Sequence, residues 1–243
     1  MDRHVAAALI GLALVTLAAP VDAQTSASVP VFPEGLHYGR LSRDGDAAVR
    51  YAISIPPKYN RLHPVPLVLA LHFGGNPAGA GNGVMKALVR PALEALGAII
   101  VAPDSSGGGW DTPENDRAVT LLLEHVMRSY AIDKKKLVVT GFSMGGRGAW
   151  SWAARYPDRF SAIVPVAGRP PESLEGWRVP VMAVHSVHDT VVPIGPTQDA
   201  IAKLKSAGVR AEIVVLSGPG HHETYKFIEG LQTAVPWLQQ IWK

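Results

Sequence analysis

The sequence predicts an α/β fold, a mainly parallel sheet with helices on both faces, and three observations carry that reading. Short apolar runs recur at Val65–Leu71, Ala98–Ala102, Leu137–Thr140, Ser161–Val166, Val179–His185 and Ala211–Leu216. Runs of this kind, bounded by turn residues, mark strands buried on both faces. Segments with helical spacing and helix punctuation lie between them. The alternation puts helices over both faces of the sheet and working loops at the carboxyl ends of the strands.

Taken in order, Val49–Ile55 alternates apolar and polar residues and stops at Pro56-Pro57, which reads as a strand. The buried run Val65–Leu71 follows. Gly81–Leu96 carries Val84, Leu88, Leu93 and Leu96 at helical spacing and ends at Gly97. After the strand Ala98–Ala102, the polar cluster from Thr112 to Asp116 reads as a helix start, with apolar residues recurring through Val126. The strand Leu137–Thr140 leads into a helix over Gly145–Tyr156, stopped by Pro157. The last two helices are Pro196–Ala207 and Glu223–Trp242, and Pro236 is expected to kink or restart the second of them.

The amino terminus reads as an address. Arg3 precedes an apolar run from Val5 to Ala19, and Val21-Asp22-Ala23 offers a small-x-small cleavage point. That run is roughly 15 residues, short of the ~20 that a membrane helix needs. Residues 1–23 are therefore expected to be a secretory signal peptide, with an uncleaved anchor as the alternative. Residues 24–46, polar and containing Pro30 and Pro33, read as a leader, and residues 47–243 as one domain. Export to the periplasm or medium follows, with no stable membrane span after cleavage.

Composition narrows the chemistry. With 47% hydrophobic and 18% charged residues, the 243-residue chain can build a real core. The absence of cysteine excludes disulfides, a thiol nucleophile, thiolate metal sites and a cysteine-borne lipid anchor, so an exported domain must be stable without crosslinks. A formal charge of +3 is too small to argue for nucleic acid. No cofactor and no metal are expected.

Three strand ends carry the candidate residues. Gly141-Phe142-Ser143-Met144-Gly145-Gly146 sits between a strand and a helix, the context of a nucleophile elbow. Side chains at Gly141 and Gly145 would collide with neighbouring backbone in so tight a turn. The turn holds the Ser143 hydroxyl clear of the sheet, and the Met144 amide can donate to a developing oxyanion. A serine hydroxyl needs a base at neutral pH. Asp189, in the loop Val184–Pro193 just past a strand, is the candidate for the acid that orients it. The base itself is expected after the next strand, where Gly220-His221-His222 offers two adjacent imidazoles. They should point in different directions, and His221, directly after Gly220, is preferred over His222. At the third strand end, Leu71-His72-Phe73-Gly74-Gly75-Asn76 is expected to supply a second oxyanion amide, from Phe73 or Gly74, with His72 bracing the loop. Trp110 follows the small, glycine-rich stretch Ser105–Gly109 and is a candidate wall of the substrate pocket, with a place in the core as the alternative.

Taken together, these motifs resemble the α/β-hydrolase superfamily, and within it secreted bacterial esterases of the phospholipase/carboxylesterase and polyhydroxybutyrate-depolymerase-like group. The resemblance rests on LHFGGN at Leu71–Asn76, YAIDKKKLVVTGFSMGGRGAW at Tyr130–Trp150, YPDRFSAIVPVAG at Tyr156–Gly168, HSVHDTVVP at His185–Pro193 and GPGHHET at Gly218–Thr224. It implies a single-domain α/β-hydrolase with Ser143 as nucleophile, Asp189 as acid and His221 as base. Phe73 departs from the pattern, standing where the group often has glycine, and His188 and His222 add imidazoles beside the acid and the base. The implied activity is hydrolysis of a carboxylic ester, small or polymer-borne, through an acyl-enzyme. A peptidase, an acyltransferase or a non-catalytic binding protein on the same scaffold are the alternatives. Arg169–Arg178 is too short for a large lid, so an open site is expected.

Overall fold

The computed structural model describes residues 31–42 and 48–243. The expected signal peptide and, of the expected leader, residues 24–30 and 43–46 lie outside the described residues. One sheet of eight strands organises the chain: β1 Gly35–Leu41, β2 Val49–Ile55, β3 Val65–Leu71, β4 Ile99–Pro103, β5 Ile132–Phe142, β6 Ala162–Val166, β7 Val181–Ser186 and β8 Ala211–Leu216. Their order is β1-β2-β4-β3-β5-β6-β7-β8. The β1–β2 and β2–β4 pairs are antiparallel and the remaining five are parallel.

The continuous apolar strands are explained by burial on both sides. Leu67, Leu69 and Leu71 of β3 face one core, with Ile99 and Val101 of β4 and Val139 of β5. Val68 and Ala70 face the other, with Ile100, Ala102 and Val138. Alternate side chains of a strand point to opposite faces, so each face takes its own apolar set. Helices α3 Pro113–Ser129, α4 Met144–Arg155 and α5 Gly195–Ser206 cover the first face through residues such as Val119, Leu122, Trp152, Ile201 and Leu204. The second face is covered by α1 Ala80–Val84, α2 Arg90–Leu93, α6 Ile228–Gln232 and α7 Ala234–Ile241, through Val84, Leu93, Leu231 and Leu238 among others. Among the described residues, no helix is long and apolar enough to cross a membrane.

Four expectations are corrected. Strand β1 lies inside the stretch read as a leader, so the sheet begins at Gly35 rather than after residue 46. It is an edge strand, paired only with β2, and its side chains are mostly half-buried or exposed, so no alternating apolar pattern marks it. Strand β5 starts at Ile132, ahead of the expected Leu137, because its first residues pair with Val65 before the sheet enters the core. The helix expected over 81–96 is four pieces, with Met85–Val89 a π-helical segment between α1 and α2 and Glu94–Leu96 a 3-10 turn. Pro91 sits in the first turn of α2, where a missing N–H is tolerated. The last helix, expected over 223–242, is instead a 3-10 turn, Thr224–Phe227, followed by α6 and α7, which part at Thr233, and Pro236 restarts the chain into α7 as expected. Pro236 falls in the first turn of α7, again where its missing N–H removes no helical bond.

Candidate active site

Strand β5 ends at Phe142 and α4 begins at Met144, so the chain reverses around a single residue, Ser143. Its backbone has φ 56° and ψ −113°, a conformation that L-residues rarely adopt and that costs of order 1–3 kcal/mol. The surroundings hold it there. The Ser143 N–H donates to the Val166 carbonyl at 3.0 Å, and the Ser143 carbonyl accepts from Arg147 N–H at 3.0 Å. A Cβ on Gly141 would stand 2.6 Å from the Leu71 carbonyl oxygen, and one on Gly145 would overlap that same oxygen outright. The glycines are therefore required by the approach of β3 to the elbow, as the spacing predicted.

The other two strand ends converge on this serine. His221 Nε2 lies 2.8 Å from Ser143 Oγ, and His221 Nδ1 lies 2.7 Å from Asp189 Oδ2. A carboxylate only accepts, so the Nδ1 proton points at Asp189 and Nε2 is left to accept from the serine hydroxyl. The second oxygen of Asp189, Oδ1, accepts from the Val191 and Val192 amides at 3.0 and 2.8 Å. The Asp189 side chain is fully buried. His222 takes no part: it is exposed and meets the edge of the His221 ring at a centroid distance of 5.6 Å. His188 is likewise exposed.

Polar side chains that the sequence reading did not single out brace both loops. The Ser186 hydroxyl, at the end of β7, donates to the Pro219 carbonyl at 2.6 Å and so ties the acid loop to the histidine loop. Glu223 accepts from Gly220 N–H at 2.9 Å, closing the turn that carries His221. His185, 1% exposed, lies beneath Asp189. Its Nε2 is 2.8 Å from the Val192 carbonyl, which can only accept, so Nε2 carries the proton and Nδ1 accepts from the Thr197 hydroxyl at 3.1 Å.

The loop after β3 is fixed in the same way. His72 Nδ1 donates to its neighbour's carbonyl, Phe73 O, at 2.6 Å, and Nε2 accepts from Ser105 N–H at 3.0 Å. The His72 carbonyl accepts from the Trp110 indole at 2.9 Å. In trans peptides each N–H points opposite to the carbonyl of its own plane, so these bonds orient the Phe73 and Gly74 amides. Gly74 is exposed, and its Cα side faces Met144 of the elbow, whose sulfur lies 4.0 Å from where a Cβ would stand. The Phe73 ring packs edge-on against Phe142, which in turn lies under His221. Asn115, fully buried, holds the glycine-rich loop after β4: its side chain accepts from Ser106 N–H and donates to the Gly107 and Gly109 carbonyls.

Trp110 requires a correction. It is 1% exposed and belongs to the core, not to a pocket wall. Gly148 of α4 leaves room for it, since a Cβ there would stand 2.7 Å from the Trp110 Cβ. Its indole N–H braces the His72 carbonyl, so it supports the site from below. Among the described residues no group of three His, Cys, Asp or Glu side chains is arranged to hold a metal ion.

Burial pushes His72 and His185 below the usual imidazole value, against partial opposition from the Phe73 carbonyl and Asp104 at His72 and from the Val192 carbonyl and Asp189 at His185. Both stay neutral in the folded protein under conditions that charge them in the unfolded chain. As pH falls through the unfolded value of 6.5, the unfolded state takes up more protons than the native one, so stability decreases. The melting temperature is expected to fall between about pH 7.5 and about pH 5. In His72→Gln, which has no imidazole to charge, the fall should be smaller over the same range. An identical slope in that variant would show that His72 is not a source of the acid sensitivity.

Residues 67–193, more than half of the chain, match the family described as alpha/beta hydrolase fold. The chain belongs to that family. It is 28% identical over 153 residues to the probable feruloyl esterase C of Aspergillus clavatus, covering 59% of this chain and 55% of that one. It is 28% identical over 163 residues to feruloyl esterase D of Neurospora crassa, covering 60% and 54%. The chain spans about half the length of these curated relatives. Among solved structures, a ferulic acid esterase superposes with a TM-score of 0.66 at 20% identity, covering 85% of this chain and 98% of that one, a likeness of fold.

Proposed function

We propose that this chain is a serine esterase that cleaves carboxylic esters through an acyl-enzyme on Ser143. The single observation that carries the reading is the unbroken relay from Asp189 Oδ2 through both nitrogens of His221 to Ser143 Oγ. The relatives named as feruloyl esterases support the choice of an ester as substrate. His221 Nε2 takes the hydroxyl proton as Ser143 Oγ attacks the acyl carbon. The Met144 amide at the start of α4 and an amide of the Phe73–Gly74 segment receive the oxyanion, which forms only in the transition state and intermediate. His221 then passes its proton to the leaving alcohol. Water enters, gives a proton to the same nitrogen and attacks the acyl group, and the proton returns to Ser143 as the acid leaves. Asp189 fixes the tautomer and stabilises the imidazolium formed in each half.

Residues 169–178 form neither helix nor strand, which supports an open site suited to exposed esters, among them acyl groups on a polymer. The reading includes export with loss of residues 1–23. The test is labelling of purified protein with a fluorophosphonate, followed by turnover of chromogenic esters of rising acyl length and of feruloyl and acetyl sugars. Label on Ser143 together with turnover is expected. A protein that neither takes the label nor turns over any ester would refute the reading and favour a binding protein on the same scaffold.

A further inference from the structure

A cleft of about 550 Å³ runs along α4, and none of Ser143, His221 and Asp189 lines it. One wall is the helix, which contributes Arg147, Trp150 and Arg155; the segment after β6 contributes Arg169 and Glu172, and Asp111 closes it from the loop before α3. Its volume is that of an ordinary ligand pocket. Its position ties it to the nucleophile. The Arg147 amide bonds the Ser143 carbonyl, so Arg147 stands about 6 Å along the helix from the serine. Gly168, the residue before Arg169, packs backbone to backbone on Gly146, leaving no room for a Cβ. Both walls therefore begin within one helical turn of Ser143.

The walls carry three guanidiniums and two carboxylates. Arg147 is paired with Asp111 at 2.9 Å, and Arg155 is held by Asp116, outside the lining, at 2.7 Å. These pairs orient two guanidiniums. Arg169 is exposed and has no carboxylate within ion-pair distance among the described residues. Trp150 is fully buried, and its indole N–H has no acceptor among the described residues. Arg169 and Glu172 are thus the charged lining groups left without a partner among the described residues, and the guanidinium fork of Arg169 matches a planar carboxylate in two parallel bonds.

We propose that this cleft binds a carboxylate carried by the ester substrate itself, within one to two helical turns of the scissile bond, and that Arg169 is its principal contact. The proposal rests on the esterase reading and deepens it by naming a substrate class. Its test compares matched esters. One series pairs 4-nitrophenyl hemiesters of dicarboxylic acids with 4-nitrophenyl alkanoates of equal length. The other pairs butyrates of hydroxycarboxylic acids with butyrates of the corresponding alkanols. In at least one series the charged member should have the higher kcat/KM, by about tenfold at low salt. That advantage should shrink in about 0.5 M salt, where charges are screened within a few ångströms. Arg169→Gln should erase the advantage while leaving the neutral esters unchanged, and Glu172→Gln, which removes an opposing charge, should enlarge it. Equal turnover of charged and neutral esters in both series overturns the assignment, as does an Arg169→Gln variant that slows both alike. Those outcomes leave the esterase reading standing; failure to turn over any ester, neutral ones included, overturns both.

Discussion

Ser143→Ala is expected to lower ester turnover by at least about 10⁴-fold while leaving the fold intact. The loss follows from the geometry: without Oγ, His221 Nε2 has no hydroxyl to deprotonate, and the oxyanion amides alone remain. The fold should survive because alanine keeps the Cβ and the N–H that donates to Val166. It also keeps the backbone strain at φ 56°. Ser143→Gly separates the two properties. Glycine reaches this conformation without a Cβ clash, which recovers part of a strain of about 1–3 kcal/mol. Against that stands the larger chain entropy that glycine loses on folding, roughly 0.5–1 kcal/mol. The melting temperature of Ser143→Gly should therefore exceed that of Ser143→Ala, with both variants inactive. Near-normal ester hydrolysis by Ser143→Ala would end the esterase mechanism, and a lower melting temperature for the glycine variant would show that the elbow is not strained.

What could be read from the chain follows from how local each constraint is. The elbow was legible because a turn pressed against the Leu71 carbonyl admits only glycine on either side of Ser143, and that demand is written within five residues. The parallel sheet was legible because strands buried on both faces must be apolar throughout, as β3 and β4 are. Asp189 and His221 could be located because such strands deliver their loops to one edge of the sheet. The bracing beneath them was not legible. His185 meets Thr197 across 12 residues and Ser186 meets Pro219 across 33, and no periodicity joins such partners. Strand β1 was not legible because an edge strand buries few side chains, here Leu41 and part of Leu36, and is otherwise held by backbone pairing with β2. Trp110 misled because a tryptophan after a glycine-rich loop looks the same whether it turns outward or, as here, into the gap left by Gly148 on another element.

The second large effect is expected from Asp189→Asn, and the bonds around the carboxylate dictate its direction. Oδ1 accepts from two backbone amides, Val191 and Val192, while Oδ2 accepts from His221 Nδ1. An asparagine must keep its oxygen on the two amides, because turning its NH₂ toward them would set donors against donors in a fully buried place. The NH₂ group then faces His221 and donates to Nδ1. That moves the imidazole proton to Nε2, where it opposes the Ser143 hydroxyl instead of accepting from it. Turnover should drop about 10⁴-fold, the size of loss seen when the same exchange imposes the wrong tautomer on a Ser-His-Asp group. Fluorophosphonate labelling should slow in parallel, with the melting temperature little changed. The imidazole nitrogen resonances supply a readout that a loss of packing would not move: the protonated nitrogen should switch from Nδ1 to Nε2 near neutral pH. Turnover within about tenfold of the parent protein would mean that His221 does not depend on Asp189 for its tautomer, and that the acid loop serves the fold alone.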